Sequence, residues 1–289
     1  MGLNSPYSHY FSTNDGVKLH YLDKGKGPPL LLLPTWNISC RIFKYQLEAL
    51  SDQYRILALD MRGHGLSEKV NYGYKVHRFA KDLQDFIKHL QLSELNLLGH
   101  NFGATVICSY LELFGFSSIS KLIFIDRAAV PMMNPIWTQT EIQRYGPTSD
   151  PKSLENLCYE ITTTQEDHFM KIFFNTMVTH LAKDKHKELI LKNSDTIPKK
   201  GAASLLFDAF YQDWRTLFPR ITKPTLIIGG RASLISASSQ IWTSQQIPNA
   251  KLIIFEEDEG GKHFPFVENS KKFNRVIDKF IQQQVNLIS

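Results

Sequence analysis

The sequence is poor in cysteine and has no long apolar run. Its 289 residues include 3 cysteines, Cys40, Cys108 and Cys158, which are widely spaced and form no Cys-x-x-Cys pair or cysteine–histidine cluster. We therefore expect no disulfide scaffold, metal site, redox pair or cofactor, and a reducing, cytoplasmic compartment. The longest aliphatic run, residues 30–33, is far shorter than the roughly 20 residues that a membrane-spanning helix needs. Residues 1–10 have no basic start and no apolar stretch, so we expect no secretory signal.

A strong charge of either sign is also missing. The chain has 33 lysines and arginines against 28 aspartates and glutamates, a formal net charge of +5, and the two signs are interspersed. Because no stretch concentrates basic residues, we predict no nucleic-acid partner. The hydrophobic share of 43% and the charged share of 21% are ordinary for a globular protein, which excludes a disordered chain, collagen or a coiled coil. The composition leaves the oligomeric state open.

Short aliphatic segments alternate with helical patterns along most of the chain. Residues 11–23 alternate apolar and polar side chains around an Asn-Asp-Gly turn, which predicts a hairpin. The later aliphatic segments are apolar on both faces and alternate with amphipathic helices, which predicts a parallel α/β sheet covered on both sides. The predicted strands are 29–33, 54–60, 95–98, 121–126, 225–229 and 251–255, and the predicted helices are 74–92, 102–114 and 271–284.

The alternation breaks between about residues 129 and 219, where the pattern is helical throughout. An insertion after one strand of a parallel sheet lies over the carboxyl ends of the strands, where such sheets bind ligands. We therefore predict a core of residues 1–129 and 220–289 and a helical cap of residues 130–219 above a small-molecule pocket. Predicted cap helices are 154–161, 166–177, 185–191 and 202–214. Candidate pocket residues, although aromatic residues at helical spacing are more often ordinary core, are Trp137, Phe169, Phe173, Phe174, Met177 and Trp214.

Three motifs occur in order on predicted strands and loops. Residues 99–103 (GHNFG) lie between a strand and a helix, a spacing that holds the middle residue in a sharp turn and projects its side chain from the sheet edge. With residues 60–67 (DMRGHGLS) and 260–269 (GGKHFPFVEN), this segment resembles the α/β-hydrolase superfamily nearly end to end. The resemblance implies a mostly parallel α/β-hydrolase sheet with an N-terminal hairpin and a helical cap insertion.

The resemblance fails at the nucleophile, because Asn101 occupies that position. A carboxamide oxygen is a very poor nucleophile, and an adjacent base cannot activate it as histidine activates a hydroxyl. Where removal of such a serine has been measured, turnover falls on the order of a millionfold. We therefore expect impaired turnover by the usual covalent route. Thr35 and Ser233 are alternative nucleophiles, although neither lies on the turn.

A second departure lies in the segment expected to bind the oxyanion. Relatives typically carry His-Gly where this chain has Pro34-Thr35. Proline has no N–H group, and Thr35 adds a Cβ and a hydroxyl where glycine leaves room. The resemblance makes the Trp36 and Phe102 N–H groups the oxyanion donors, with Thr35 beside them. His100, next to the turn, is a further candidate for the pocket, although packing alone also explains it.

The resemblance also implies a histidine base, at His263. The commonest acid position in the family follows the strand at 225–229, where this chain has no carboxylate. Some family members place the acid after the preceding core strand, so the resemblance implies Asp126 as the candidate orienting acid. Alternatively, His263 is an exposed loop residue and Asp126 pairs with Arg127.

Four functions remain open from the sequence. The first is small-molecule ester, lactone or amide hydrolysis, with turnover impaired at Asn101. The second is a ligand-binding pseudoenzyme that keeps the pocket and loses the chemistry. The third is proton abstraction by His263 and Asp126 alone, as in lyases or cofactor-free oxygenases that this fold resembles. The fourth is a dehalogenase or epoxide hydrolase with an aspartate nucleophile, seen as its asparagine form.

Overall fold

Eight strands form one sheet in the order β1-β2-β4-β3-β5-β6-β7-β8. The computed structural model describes residues 6–164, 174–194 and 197–283. The pairs β1–β2 and β2–β4 are antiparallel, and the remaining pairs are parallel. The predicted hairpin and the mostly parallel sheet are therefore confirmed. The strands are β1 Ser8–Ser12, β2 Lys18–Lys24, β3 Pro29–Leu33, β4 Arg55–Leu59, β5 Leu95–His100, β6 Ile119–Ile125, β7 Thr225–Gly230 and β8 Ala250–Phe255.

The helices pack on the sheet through the apolar stripes that the sequence shows. Helix α2 buries residues at three- and four-residue spacing, among them Phe79, Leu83 and Phe86, whereas α3 is buried over most of its length. The helices, without the short 3₁₀ turns, are α1 Lys44–Leu50, α2 Val76–His89, α3 Phe102–Phe114, α4 Gln139–Tyr145, α5 Pro151–Thr163, α6 Asp184–Lys192, α7 Lys199–Phe210, α8 Ala237–Gln246, α9 Pro265–Glu268 and α10 Ser270–Gln282.

Several helices were not expected from periodicity. Helix α8 is rich in serine and glutamine and has little apolar pattern, but Ser236 caps it by accepting a hydrogen bond from the Ser239 N–H. Helix α4 buries none of its residues and begins with a capping box formed by Thr138 and Glu141. In both helices the residues that favour helix formation are the capping residues, and a search for apolar stripes does not detect them.

Residues 130–219 contain α4 to α7, and the described part of this segment holds no strand longer than an isolated bridge. The predicted helix at 166–177 falls mostly outside the described residues. Several hydrogen bonds tie the segment to the sheet region: for example, Trp36 Nε1 donates to the Ala202 carbonyl at 2.9 Å, and Asp208 accepts from the Val76 N–H at 2.7 Å. No helix in the described ranges is long and apolar enough to cross a bilayer.

Candidate active site

Asn101 forms the sharp turn between β5 and α3. Its backbone has φ 46° and ψ −98°, a left-handed conformation that is strained for a residue with a side chain. The flanking glycines are required because the chain passes close by on both sides. A Cβ at Gly99 would lie 2.4 Å from the Ala104 nitrogen, and one at Gly103 would lie 2.4 Å from the Leu33 carbonyl oxygen. The predicted turn is thus built as the motif requires, with residue 101 at its apex.

Both ends of the Asn101 carboxamide are held by hydrogen bonds. Its Nδ2 donates to the Asp126 carbonyl oxygen at 2.9 Å, and its Oδ1 accepts from the Thr35 hydroxyl at 3.3 Å. The Asn101 N–H also donates to the Ile125 carbonyl at 2.8 Å. These contacts connect the turn to the segment after β3 and to the end of β6, and they use the amide as both donor and acceptor.

His263 and Asp126 form a buried pair at the end of the sheet. His263 Nδ1 lies 2.6 Å from Asp126 Oδ2, and the Ser233 hydroxyl donates to the same oxygen at 2.7 Å. Asp126 is fully buried with φ 48°, and its N–H donates to the Ile228 carbonyl of β7. Because an ionised carboxylate only accepts hydrogen bonds, the pairing assigns the proton to Nδ1 and leaves His263 Nε2 as the basic atom. No ion pair joins Asp126 to Arg127 within the described chain.

His100 lies behind His263 rather than in the cavity. It is fully buried, with its ring centroid 4.4 Å from that of His263, and it packs against Phe264 and Phe266 at 5.2 and 4.9 Å. Burial, together with repulsion from His263, holds the pKa of His100 well below its usual value. His100 is therefore neutral, and its ring contacts are with His263, Phe264 and Phe266 rather than with the cavity.

The segment that carries Thr35 and Trp36 is fixed by His64, a residue of the 60–67 motif to which no candidate role was assigned. His64 Nε2 accepts from the Asn37 N–H at 3.2 Å, and Nδ1 lies 2.9 Å from the Arg62 carbonyl. Burial lowers the pKa of His64 to about 4, so the ring is neutral and can accept on one side while donating on the other. The Phe102 N–H, in the first turn of α3, has no acceptor within the helix.

A cavity of about 190 Å³ opens at this end of the sheet. Of the candidates, Thr35, Trp36, Asn101, Phe102 and His263 line it, whereas Asp126 and His100 are not among its described lining residues. Of the aromatic and methionine candidates, Phe174 and Met177 line it, Trp137 and Trp214 are absent from the described lining, and Phe169 and Phe173 fall outside the described residues. The remaining lining residues are eight apolar ones and six polar ones, and the polar ones are Thr105, Arg127, Thr148, Ser149, Ser233 and Lys262.

A second buried polar cluster lies away from the cavity. Asp60 Oδ2 lies 2.8 Å from His20 Nδ1 and accepts from the Leu66 N–H at 2.9 Å, while Oδ1 accepts from the Cys40 N–H at 2.6 Å. His20 Nε2 lies 2.8 Å from the Ser8 hydroxyl. Burial raises the pKa of the Cys40 thiol well above its usual value. The ring nitrogens of His20 and the carboxylate oxygens of Asp60 are occupied by these contacts. The cluster therefore joins loops and strands, and these atoms are not free to bind a metal ion.

Comparison with known proteins places these features in a family context. The chain is 28% identical over 287 residues to the non-heme chloroperoxidase CPO-A1 of Kitasatospora aureofaciens, covering 94% of this chain and 98% of that protein. A bromoperoxidase from Bacillus anthracis has a TM-score of 0.86 at 22% identity, over 96% of this chain and 100% of that one. An esterase from Exiguobacterium antarcticum has a TM-score of 0.85 at 24% identity, over 95% and 99%.

The family assignment comes from the sequence itself. Residues 28–270 match the family model described as the alpha/beta hydrolase fold. The match includes the turn at Asn101, the Asp126 strand end and the His263 loop, which the structure brings together at one end of the sheet. The chain belongs to the alpha/beta hydrolase fold family.

Proposed function

We propose that this protein descends from hydrolases of small-molecule esters, lactones or amides, that its cavity binds such a molecule, and that Asn101 impairs covalent turnover. The observation that carries the proposal is the state of the Asn101 carboxamide, whose two ends are hydrogen-bonded to Thr35 and to the Asp126 carbonyl. The backbone geometry of Asn101 fits the nucleophile position of the family, but a carboxamide cannot act as that nucleophile. We further propose that residues 130–219 act as a cap over the cavity.

Apart from Asn101 and the departure at Pro34-Thr35, the chain keeps the residue types that the family resemblance implies for this machinery. In a serine form, the hydroxyl at position 101 would attack the substrate carbonyl while His263 Nε2 takes its proton. Asp126 would orient His263 through the 2.6 Å contact. The Trp36 and Phe102 N–H groups would hold the oxyanion, and the apolar lining would exclude water from the reacting carbonyl.

Substitution at position 101 tests this proposal. We expect Asn101→Ser to hydrolyse 4-nitrophenyl acetate with a kcat/KM at least a hundredfold above that of Asn101→Ala, which removes the amide without adding a nucleophile. Adding His263→Ala to the serine variant should abolish the gain. If Asn101→Ser is no faster than Asn101→Ala, the disarmed-hydrolase proposal is wrong.

A second candidate function uses His263 and Asp126 without a nucleophile. It is favoured by the 2.6 Å pair and by His263 Nε2, which makes no hydrogen bond to the described residues. In this role the dyad abstracts a proton from a bound ligand, as a general base. Turnover by the unmodified protein that disappears in His263→Ala, with Asn101→Ala still active, would favour it.

The other two candidates are distinguished in the same set of proteins. Tight ligand binding without turnover in any variant would favour a pseudoenzyme. A gain of haloalkane or epoxide turnover in Asn101→Asp, but not in Asn101→Ser, would favour an aspartate nucleophile. The intact mass of the peptide that holds residue 101 shows whether the carboxamide has already become a carboxylate, because deamidation adds one mass unit.

A further inference from the structure

Ser8, His20 and Asp60 form a chain of hydrogen bonds near one edge of the sheet. The Ser8 hydroxyl lies 2.8 Å from His20 Nε2, and His20 Nδ1 lies 2.8 Å from Asp60 Oδ2. His20 and Asp60 are fully buried, whereas Ser8, on the outermost strand β1, is partly exposed. None of the three is among the described lining residues of the cavity. The cluster is therefore separate from the candidate active site.

The hydrogen bonds of Asp60 determine which nitrogen of His20 is basic. Although burial alone would raise the pKa of Asp60, its hydrogen bonds with His20 and with two backbone N–H groups lower the pKa to about 2, so the carboxylate is ionised at neutral pH. Because an ionised carboxylate only accepts hydrogen bonds, the pairing places the proton of His20 on Nδ1. Nε2 then accepts from the Ser8 hydroxyl, which is the arrangement that activates a serine nucleophile.

The base and the acid of this cluster are held in place by further contacts. The Ser67 hydroxyl accepts from the His20 N–H at 2.8 Å and donates to the Asp60 carbonyl at 2.5 Å. The ring of Tyr10, an exposed residue two positions after Ser8 on the same face of β1, has its centroid 5.2 Å from that of His20. Because these positions are fixed before any molecule arrives, the hydroxyl and the base need no rearrangement in order to react.

The free edge of β1 also provides backbone N–H groups beside the Ser8 hydroxyl. The Asp23 N–H donates to the carbonyl of Tyr7, the residue before β1, so these two residues form a hydrogen-bonded pair. Since such pairs alternate with non-hydrogen-bonded pairs along an antiparallel ladder, the N–H groups of Ser8 and Tyr10 point away from β2. They are available to donate to the oxyanion that forms when a hydroxyl attacks a carbonyl.

We propose that Ser8 is a reactive serine that accepts the acyl group of a small activated ester, with His20 as its general base and Asp60 orienting His20. The Ser8 oxygen bonds to the carbonyl carbon of the ester while His20 Nε2 takes the hydroxyl proton. The ester C–O bond then breaks, and the leaving alcohol takes that proton from His20. The products are acyl-Ser8 and the free alcohol. Because an open sheet edge gives the ester few contacts besides the Tyr10 ring, the ester must carry a good leaving group.

Labelling of the full chain with diisopropyl fluorophosphate, mapped by peptide fragmentation, tests the proposal. This probe reacts with activated serines, and Asn101 gives it no hydroxyl at the family's nucleophile position. We expect Ser8 to be labelled about tenfold or more faster than Ser12. Ser12 is the matched control, because it lies on the same face of β1, is more exposed and has no histidine partner in the described structure. Ser8→Ala should remove the label, whereas Ser12→Ala should leave the rate at Ser8 unchanged.

Replacement of His20 tests the general base. We expect His20→Gln to lower the labelling rate of Ser8 about a hundredfold, because glutamine cannot take the hydroxyl proton. Circular dichroism shows whether this variant is folded, and the comparison of Ser8 with Ser12 in the unmodified protein does not depend on it. Incubation with 4-nitrophenyl acetate should place the acetyl group on Ser8. Equal labelling of Ser8 and Ser12, no acetyl group on Ser8, or an unchanged Ser8 rate in folded His20→Gln would overturn the proposal.

The proposals for Ser8 and for the cavity concern different residues and fail separately. The comparison of Asn101→Ser with Asn101→Ala holds whether or not Ser8 reacts, because both variants contain Ser8. Labelling of Ser8 in the unmodified protein requires no nucleophile at position 101, so it stands even if Asn101→Ser gains no activity.

Discussion

Replacing Asp60 with asparagine should lower the free energy of unfolding by about 2 kcal/mol at pH 7, through a defined electrostatic effect. Burial by itself would raise the pKa of Asp60, but the hydrogen bond and charge of His20, with the N–H groups of Leu66 and Cys40, lower it from 3.8 to about 2. At about 1.4 kcal/mol per pKa unit, this difference corresponds to about 2 kcal/mol of stability. The neutral amide of asparagine cannot reproduce it, because its NH₂ group faces a donor.

The pH dependence of the stability difference between Asp60→Asn and the unmodified protein shows whether the Asp60 charge causes it. Because the folded pKa lies below the unfolded one, the contribution of Asp60 is complete above about pH 5, roughly halved at pH 3 and lost as the pH falls below 2. Urea unfolding of Asp60→Asn and the unmodified protein, from pH 7 to pH 3, should therefore show a gap that narrows by about 1 kcal/mol. The control is Asp258→Asn at an exposed aspartate. A gap that stays constant over this range would refute the reasoning.

Three further predictions follow from other buried contacts. Arg62→Met should lower the free energy of unfolding by about 1–3 kcal/mol in urea titrations, because it removes two hydrogen bonds of 2.9 Å from the buried Asp82 carboxylate, which keeps Arg78 as its remaining partner. Gly103→Ala should cost about 1–3 kcal/mol in the same measurement, since its Cβ would lie 2.4 Å from a carbonyl oxygen of β3. In the Asn101→Ser background, Ser233→Ala should lower kcat about tenfold with KM little changed, because it removes one of the two side-chain contacts to Asp126 Oδ2.

The sheet was predictable because its strands carry the pattern in their own residues. The segment at 30–33 is leucine throughout and fully buried, so an aliphatic run alone identifies β3. The helices that escaped prediction are those whose stability comes from a cap or from contacts far along the chain. Helix α1 is an example: its buried Gln46 donates to the Phe266 carbonyl and to Asn274, more than 200 residues away. Sequence periodicity does not reveal contacts between residues so far apart in the chain.

The distinction between local sequence patterns and long-range contacts also applies at the candidate site. Asn101 and His263 lie in motifs with local spacing rules, and Asp126 followed from the absence of a carboxylate in the next loop. Arg127 was interpreted only as a possible partner of Asp126, because adjacent opposite charges suggest pairing. At a strand end, however, successive side chains point in different directions, and Asp126 contacts His263 while no ion pair joins it to Arg127 in the described structure. The contacts that Asp126 and Arg127 each make depend on the register of β6, which is known only from the fold.

The energetic cost of this site supports the proposal that its cavity binds a ligand. Asn101 and Asp126 have left-handed backbones, and Asp126, Arg127 and His100 each bury a polar atom without a hydrogen-bond partner in the described structure. Each such feature costs on the order of 1–3 kcal/mol, against a total stability of about 5–15 kcal/mol for a typical domain. The features are adjacent to one another at one end of the sheet, beside the cavity. If Asn101 had ended all function, substitutions that relieve these costs would have been free to accumulate.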